Sequence, residues 1–425
     1  MESSVTSFGR LTSEGHRVTN ASGFLGQTNV LPRGLGSSYG DVCLNPGGTL
    51  AVTAGMNNFL AFDQETGRLK VEPGVTLGEI QRTFAPRGWM LSVTPGTQFV
   101  SVGGAIGNDV HGKNHHARGT FGDNTLELTL LRSSGELLTC SREENRELFL
   151  ATLGGLGLTG LVVDATIQLQ PVSGAYLDTE TIVFGDSGEF LKLSDESESA
   201  WQYIVSWIDC TSKNGRGIFM RGNNSADTRV PDVKLGGPSV PFTPPFSLIN
   251  RASVLAFNQA YFNLNRIKAG SAVTHYQPYF YPLDSVTNWN LAYGPRGFYQ
   301  YQMVIPRHDG RAVLDEILSQ IRRSGQGSFL AVLKTFGADH GPGLLSFARP
   351  GITLALDFTN LGARSDALFK TLDSIVMEAN GTLNPSKDAR MSRAMFEQGF
   401  PKFAEFEQYR DKAISSAMSR RLMGW

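Results

Sequence analysis

The stretch Thr94-Pro-Gly-Thr-Gln-Phe-Val-Ser-Val-Gly-Gly-Ala-Ile-Gly-Asn-Asp-Val-His-Gly-Lys113 constrains this chain most. It sets Gly96, Gly103, Gly104, Gly107 and Gly112 within seventeen residues, beside His111 and Lys113. Backbone this rich in glycine turns through positive φ and lays its N–H groups against a ligand with no Cβ between them. A ligand approached so closely is anionic or flat, and a nucleotide cofactor is both. Pro95-Gly96 marks a tight turn, and Val100, Val102, Ala105 and Ile106 can seat the run on a core. A second stretch, Leu31-Pro-Arg-Gly-Leu-Gly-Ser-Ser-Tyr-Gly-Asp41, repeats the pattern with Gly34, Gly36 and Gly40, and Arg33 supplies charge for a phosphate. Together the two read as opposite sides of one cradle.

Neither loop is a Rossmann fingerprint, which needs strand, G-x-G-x-x-G, helix and a ribose-holding acid about 20 residues on. Gly103-Gly104-Ala-Ile-Gly107 has other spacing, and residues 125–131 read as a strand carrying Glu127 on one face. No Gly-Lys-Ser/Thr follows a glycine run, so a P-loop is excluded as well.

The segments Arg33-Gly-Leu-Gly-Ser-Ser-Tyr-Gly-Asp41, Gly103-Gly-Ala-Ile-Gly-Asn-Asp-Val-His-Gly-Lys-Asn-His-His116 and Gly154-Gly-Leu-Gly-Leu-Thr-Gly160 resemble the flavin-binding segments of the vanillyl-alcohol-oxidase type (PCMH-type) of FAD oxidoreductase. Within that superfamily the chain is most similar to the decaprenylphosphoryl-ribose 2-prime-oxidases. Gln300-Tyr-Gln302, Leu333-Lys-Thr-Phe-Gly337, Ser346-Phe, Pro350-Gly351, Asp357-Phe and Lys387-Asp-Ala-Arg390 extend the likeness in order towards the C-terminus.

The 425 residues suffice for two or three domains with ample core, and a formal charge of −1 offers no basic field for nucleic acid. Cys43, Cys140 and Cys210 are scattered without C-x-x-C spacing, which fits a reducing compartment and neither a disulfide framework nor zinc. Residues 1–18 have no apolar signal core, and the uncharged run 88–108 is broken by Pro95, Gln98 and glycines, so a soluble, cytoplasmic protein is expected.

Strands are read at 50–53, 69–72, 125–131, 136–140 and 161–169, with helices at 77–84 and 143–153, an α+β pattern without regular βαβ repetition. After Pro171 come strands at 201–208 and 217–220, five prolines within 230–249, and a poorly periodic aromatic stretch to Trp289, read as a cover over an apolar substrate or as packed loops. Regularity returns with strands at 298–305, 328–336 and 352–358 and helices at 312–323 and 366–379. The last segment ends in an amphipathic helix with Ile414, Met418 and Leu422 on one side. In residues 299–303, alternation sets Gln300 and Gln302 on one face and Tyr299 and Tyr301 on the other. The resemblance implies a two-subdomain FAD-binding domain over 1–172. It adds a substrate domain over 173–381, with an antiparallel sheet flanked by helices, and a segment 382–425 returning to the FAD-binding domain.

A flavin that oxidises an alcohol takes a hydride at N5, and the protein supplies a base for the hydroxyl proton. His111, Lys113, Tyr39, Asp357 and Lys387 are the candidate bases; a lysine serves only if desolvation or a nearby cation depresses its pKa. The resemblance implies Lys387, His111 and Tyr39 as the catalytic set, and substrate contacts from Lys113, Gln300, Gln302, Lys334 and Asp357. The implied FAD contacts are Arg33, Gly34, Leu35, Gly36, Ser37, Ser38 and Tyr39; Pro95, Gly96 and Thr97; Val102, Gly103, Gly104, Ala105, Gly107 and Asn108; and His111, Gly112, Gly157, Gly160 and Lys387. It further implies a lipid-linked pentose as substrate, a short-chain reductase partner completing a 2-prime epimerisation, quinone or dioxygen as electron acceptor, and peripheral attachment at the inner membrane.

Two positions depart from the family pattern. Ser37 stands where covalent flavoproteins of this type often carry histidine, so non-covalent FAD is expected. Ala355 stands where the mycobacterial-type oxidases carry the cysteine attacked by nitroaromatic inhibitors. Alternatives remain: oxidation of a free sugar, alditol or aldonolactone; a flavin or lipid carrier without turnover; or a metal-dependent hydrolase using His111, His115 and His116.

Overall fold

A computed structural model describes residues 2–229 and 237–425; the opening of the proline-rich stretch, 230–236, lies outside them. The fold is α+β, with three sheets. The first has the strand order Glu2–Thr6, Ser13–Asn20, Thr49–Val52, Val30–Arg33, the last two pairings parallel. The first glycine loop leaves the C-terminal end of Val30–Arg33, where a ligand meets backbone that is no longer committed to the ladder.

The second sheet runs Phe59–Asp63, Arg68–Val71, Leu161–Pro171, Thr125–Leu131, Leu137–Ser141, and Trp89–Leu91 also pairs with Leu161–Pro171. Helices Leu77–Phe84, Val102–Gly107 and Arg146–Thr152 pack on it through Ile80, Phe84, Val102, Ala105, Ile106 and Phe149. The first of these starts at a capping box: Thr76 accepts from the Glu79 N–H while the Glu79 carboxylate accepts from the Thr76 N–H.

The third sheet has eight strands, every pairing antiparallel, in the order Gly270–His275, Tyr176–Phe184, Gly217–Asn224, Tyr203–Ile208, Ala331–Phe336, Gly351–Thr359, Phe298–Ile305, Thr382–Leu383. One face is covered by helices Ser187–Ser197, Gly310–Ser324 and Ala363–Glu378, with Phe190, Leu314, Ile317, Phe369 and Leu372 in the shared core. The expected alternation holds: Tyr301 stacks on Phe369 at 5.8 Å, while Gln300 and Gln302 face the opposite way, into a cavity.

Two expected elements differ. Residues 250–280 are not irregular but form helix Arg251–Ile267, edge strand Gly270–His275 and short helix Tyr276–Phe280. Asn250 and Ser253 cap the long helix, yet only Val254, Asn258 and Phe262 on it are buried, a stripe too narrow to leave a periodic apolar signal. At the C-terminus the helix is Ala417–Met423; Ile414 precedes it, bridged to Val30 on the first sheet. The tail therefore joins the third sheet through Thr382–Leu383 and ends against the first. No helix among the described residues is long and apolar enough to cross a membrane.

Candidate active site

A cavity of about 1340 Å³ separates the glycine loops from the open face of the eight-stranded sheet. The two loops hold each other: the Ser37 hydroxyl donates to the Phe99 carbonyl at 2.7 Å, and a Cβ on Gly34 would come within 2.3 Å of Ser101 Oγ. Gly36 sits at φ +69°, the left-handed region that favours glycine. Arg33 lines the cavity while its Nε and Nη2 donate to the carbonyls of Cys43 and Thr6, which braces the loop. Behind the second loop, the Leu156 N–H donates to the Gly107 carbonyl at 2.7 Å, which sets Gly157 against the same groove. The groove thus has glycine backbone on both sides. Asn108 adds a buried amide oxygen without a partner among the described residues. A flat, anionic, hydrogen-bonding cofactor such as FAD fits such a cradle, where a Cβ would obstruct.

At the other end of the cavity, polar side chains converge. The Gln302 amide N–H donates to His111 Nε2 at 3.1 Å, and its oxygen accepts from Asn384 at 3.1 Å. That pairing makes Nε2 the unprotonated nitrogen of His111. Burial, then the charges of Lys334 and Lys387, holds His111 well below the usual histidine range, so its ring is neutral. Lys113, Lys334 and Lys387 all line the cavity. Lys113 Nζ donates to the Phe280 carbonyl at 2.9 Å, Lys334 Nζ to the Gly112 carbonyl at 3.1 Å, and Lys387 Nζ lies 5.3 Å from the Tyr39 ring centre. Desolvation lowers Lys113 to about 8. Lys387 is likewise lowered to about 8, opposed by the Asp357 carboxylate. Lys334 is lowered well below its ordinary value, by burial and then by the other two lysines.

Asp357 lies behind Gln300, which donates to it at 2.7 Å, and burial pushes its carboxyl up to about 7. Tyr39 is raised well above 10 by burial and the neighbouring carboxylate, so its hydroxyl keeps its proton.

The segment carrying Lys387 is fixed from three sides. Ser386 Oγ and the Ser386 N–H both donate to the Asn384 side-chain oxygen, forming a turn immediately before Lys387. Arg421, on the tail helix, bridges Asp388 at 3.1 Å and holds Asp41 through bonds of 2.9 and 2.8 Å. A Cβ on Gly40 would meet the Asp388 carbonyl at 1.7 Å, so the first glycine loop and the Lys387 segment touch backbone to backbone.

Most of the expected residues gather at this cavity, but three do not reach it with their side chains. Val102 and Ala105 are fully buried on the far side of their helix, and Asp357 acts only through Gln300 and by charge. Sequence reasoning passed over Asn384, Ser386 and Tyr293. An Asn-Pro-Ser turn ahead of Lys387 was the available signal for the first two. Tyr293, just outside the cavity lining, has a buried hydroxyl without a partner among the described residues, near Asp357 and Tyr39, and carried no signal. The three histidines point apart: His115 accepts from the Gly337 N–H, and His116 contacts the Trp201 carbonyl. Among the described residues no metal-holding group of His, Cys, Asp or Glu side chains is present.

Residues 21–141 match the FAD binding domain family. The chain is 35% identical over 421 residues to decaprenylphosphoryl-beta-D-ribose oxidase of Mycolicibacterium smegmatis, covering 93% of this chain and 90% of that protein. The chain belongs to the decaprenylphosphoryl-ribose oxidase family of FAD-dependent oxidoreductases. More distant similarity reaches L-gulonolactone oxidase of Scyliorhinus torazame, at 31% over 37% of this chain and 38% of that one. It also reaches cytokinin dehydrogenase 7 of Oryza sativa subsp. japonica, at 29% over 42% and 36%. Membership in this family makes the chain an FAD-dependent oxidoreductase acting on CH–OH groups, and the metal-dependent hydrolase alternative falls away. The more distant relatives match less than half of this chain, whereas the match to the oxidase covers 93% of it.

Proposed function

We propose that the chain oxidises a secondary hydroxyl of a pentose carried on a polyprenyl phosphate, giving a keto sugar, the first half of a 2-prime epimerisation. The observation that carries this reading is the convergence of three cavity lysines beside an apolar wall. Small-ligand cavities span about 300–1,000 Å³, so this one leaves room for a second ligand next to the cofactor. Lys113 offers a cation to a phosphodiester, Lys334 regains its charge where an anion sits beside it, and Val205, Trp207, Val254, Phe257, Tyr261 and Phe329 offer apolar surface to a prenyl chain.

FAD, when bound, accepts the hydride. Lys387 takes the hydroxyl proton, since desolvation holds its amine near neutrality. Tyr39, kept protonated, donates a hydrogen bond, and Gln300 and Gln302 orient the sugar hydroxyls. His111, neutral and fixed by Gln302, lies in the same wall. Ser37 cannot form the bond to flavin that histidine forms, so FAD is held without a covalent link. A quinone acceptor and a reductase that returns the keto sugar with inverted configuration complete the reading. The M. smegmatis protein is named for oxidation of decaprenylphosphoryl-ribose, which supports this substrate class.

The test is anaerobic bleaching of the flavin by short-chain polyprenylphosphoryl ribose, set against free pentoses, alditols and aldonolactones. Bleaching by the lipid-linked sugar alone is expected. Bleaching by a free lactone or alditol at equal or greater rate would overturn the assignment.

A further inference from the structure

His111 has two ring nitrogens, and the tail decides which of them carries the proton. Thr382–Leu383 pairs with Met303 and Val304 at the edge of the eight-stranded sheet, which sets the next residue, Asn384, beside Gln302. The turn that follows closes on the Asn384 side-chain oxygen, which accepts from the Ser386 N–H at 3.1 Å and from the Ser386 hydroxyl at 2.8 Å. A backbone N–H can only donate, so the Asn384 amide has one orientation, oxygen towards Ser386 and nitrogen away from it. That nitrogen donates to the Gln302 side-chain oxygen at 3.1 Å. Gln302 then turns its own nitrogen to His111 Nε2 at 3.1 Å, and a ring nitrogen that accepts leaves the proton on Nδ1.

A second contact holds Gln302 the same way round. The Thr353 hydroxyl donates to the Met303 carbonyl at 2.8 Å, so its oxygen is left to accept from the Gln302 nitrogen at 3.2 Å. Gln302, Thr353 and Asn384 are all buried, where such bonds meet little competition from water. The His111 ring sits between Phe336, at 4.8 Å, and Phe347, at 5.7 Å, and neither side chain takes a proton. Among the described residues no group accepts from Nδ1, and His111 lines the cavity.

We propose that Asn384, braced by Ser386, is a positioning residue that fixes His111 in its Nδ1–H tautomer, so that His111 presents a standing hydrogen-bond donor to the flavin held in the cavity. His111 belongs to the second glycine loop, beside Gly112, and its donor serves the cofactor for that reason. A donor already in place needs no reorganisation as negative charge builds on the cofactor during its reduction. The Asn384 carbonyl also accepts from the Lys387 and Asp388 N–H groups, each at 3.1 Å, so one turn sets both the donor and the lysine. The proposal rests on FAD occupying the cavity and not on which sugar is oxidised.

The test is NMR of the histidine ring nitrogens in the FAD-loaded protein, with His111→Gln identifying the His111 signals, beside a reductive titration of the flavin against a reference dye. Wild type is expected to carry the His111 proton on Nδ1. Asn384→Asp keeps the Ser386 bonds but gives the Gln302 oxygen no donor, which turns that amide over and moves the His111 proton to Nε2. Asn384→Leu with Thr353→Val frees Gln302 without adding charge, and signals of both tautomers are expected. In each case the equilibrium with the dye should shift about tenfold towards oxidised flavin. A merely structural Asn384 would lower the melting temperature and leave tautomer and dye equilibrium alone. Wild type protonated on Nε2, or Nδ1–H retained in both variants, would overturn the proposal. So would an unchanged dye equilibrium in a variant whose tautomer has moved. Neither readout uses a sugar, so failure of the substrate reading would show separately, as absent flavin bleaching of wild type by the lipid-linked pentose.

Discussion

Lys387 is the residue on which the proposed chemistry turns. To accept a proton it must be neutral, and its pKa near 8 makes the neutral fraction grow as pH rises through that value. Anaerobic flavin reduction should therefore accelerate from pH 6 to a plateau above about 9, with one ionisation near 8. Lys387→Met should slow reduction by about a hundredfold or more and abolish that limb. At pH 7, below its folded pKa, the amine is charged in both folded and unfolded states, so the folded state bears the full desolvation cost. The methionine variant should accordingly melt no lower than wild type at pH 7, by calorimetry of the cofactor-free proteins. A variant that melts much lower, or keeps the pH limb, would assign Lys387 a structural role. Ala355 makes a second test. It lies in the cavity wall opposite Gln302 in the strand register, with no thiol to offer. Nitroaromatic inhibitors that attack a cysteine at this position should leave wild type unmodified, and Ala355→Cys should gain the covalent adduct by intact-protein mass spectrometry.

Among elements, the tail decides how well Lys387 is placed. Arg421 gathers Asp41 from the first glycine loop and Asp388 from the lysine segment, and these carboxylates are partly or fully withdrawn from water. Removing one partner of such an arrangement leaves charge unpaired, at a cost of about 3 kcal/mol in buried cases. Arg421→Gln should lower stability by about that much or somewhat less. It should also slow flavin reduction and shift its pH midpoint, whereas a purely structural contact would leave the midpoint alone. The glycine loops and the alternation of Gln300 and Gln302 were legible in the sequence because each has a local cause, conformational freedom in one and strand periodicity in the other. Helix Arg251–Ile267 was not, because its exposed flank is apolar and its buried stripe includes Asn258, which blurs the contrast that periodicity needs. The Arg421 bridge was equally hidden. It joins residues 380 positions apart, and no local pattern announces such a contact.

At the scale of the whole molecule, the cavity is where the three sheets meet. Its walls come from the loop after Val30–Arg33, the loops around Gly96 to Gly112 and Gly157, the inner face of the eight-stranded sheet, and the tail at Lys387. No part of the chain owns the site, and a ligand filling it contacts all of them at once. FAD binding should therefore stabilise the chain as a unit. A ligand bound only by the folded state adds about 2.7 kcal/mol at a hundredfold excess over its Kd. Calorimetry across an FAD titration should show one endotherm moving upward as a whole. Gly34→Ala should weaken that dependence, because its Cβ would lie 2.3 Å from Ser101 Oγ and push that hydroxyl off the Gly104 N–H it caps in the second glycine loop. If the endotherm instead divides, with FAD raising one part and leaving the other fixed, the glycine loops hold the cofactor alone. The sheet would then be an independent cover, and the proposed coupling between cofactor, substrate face and tail would be lost.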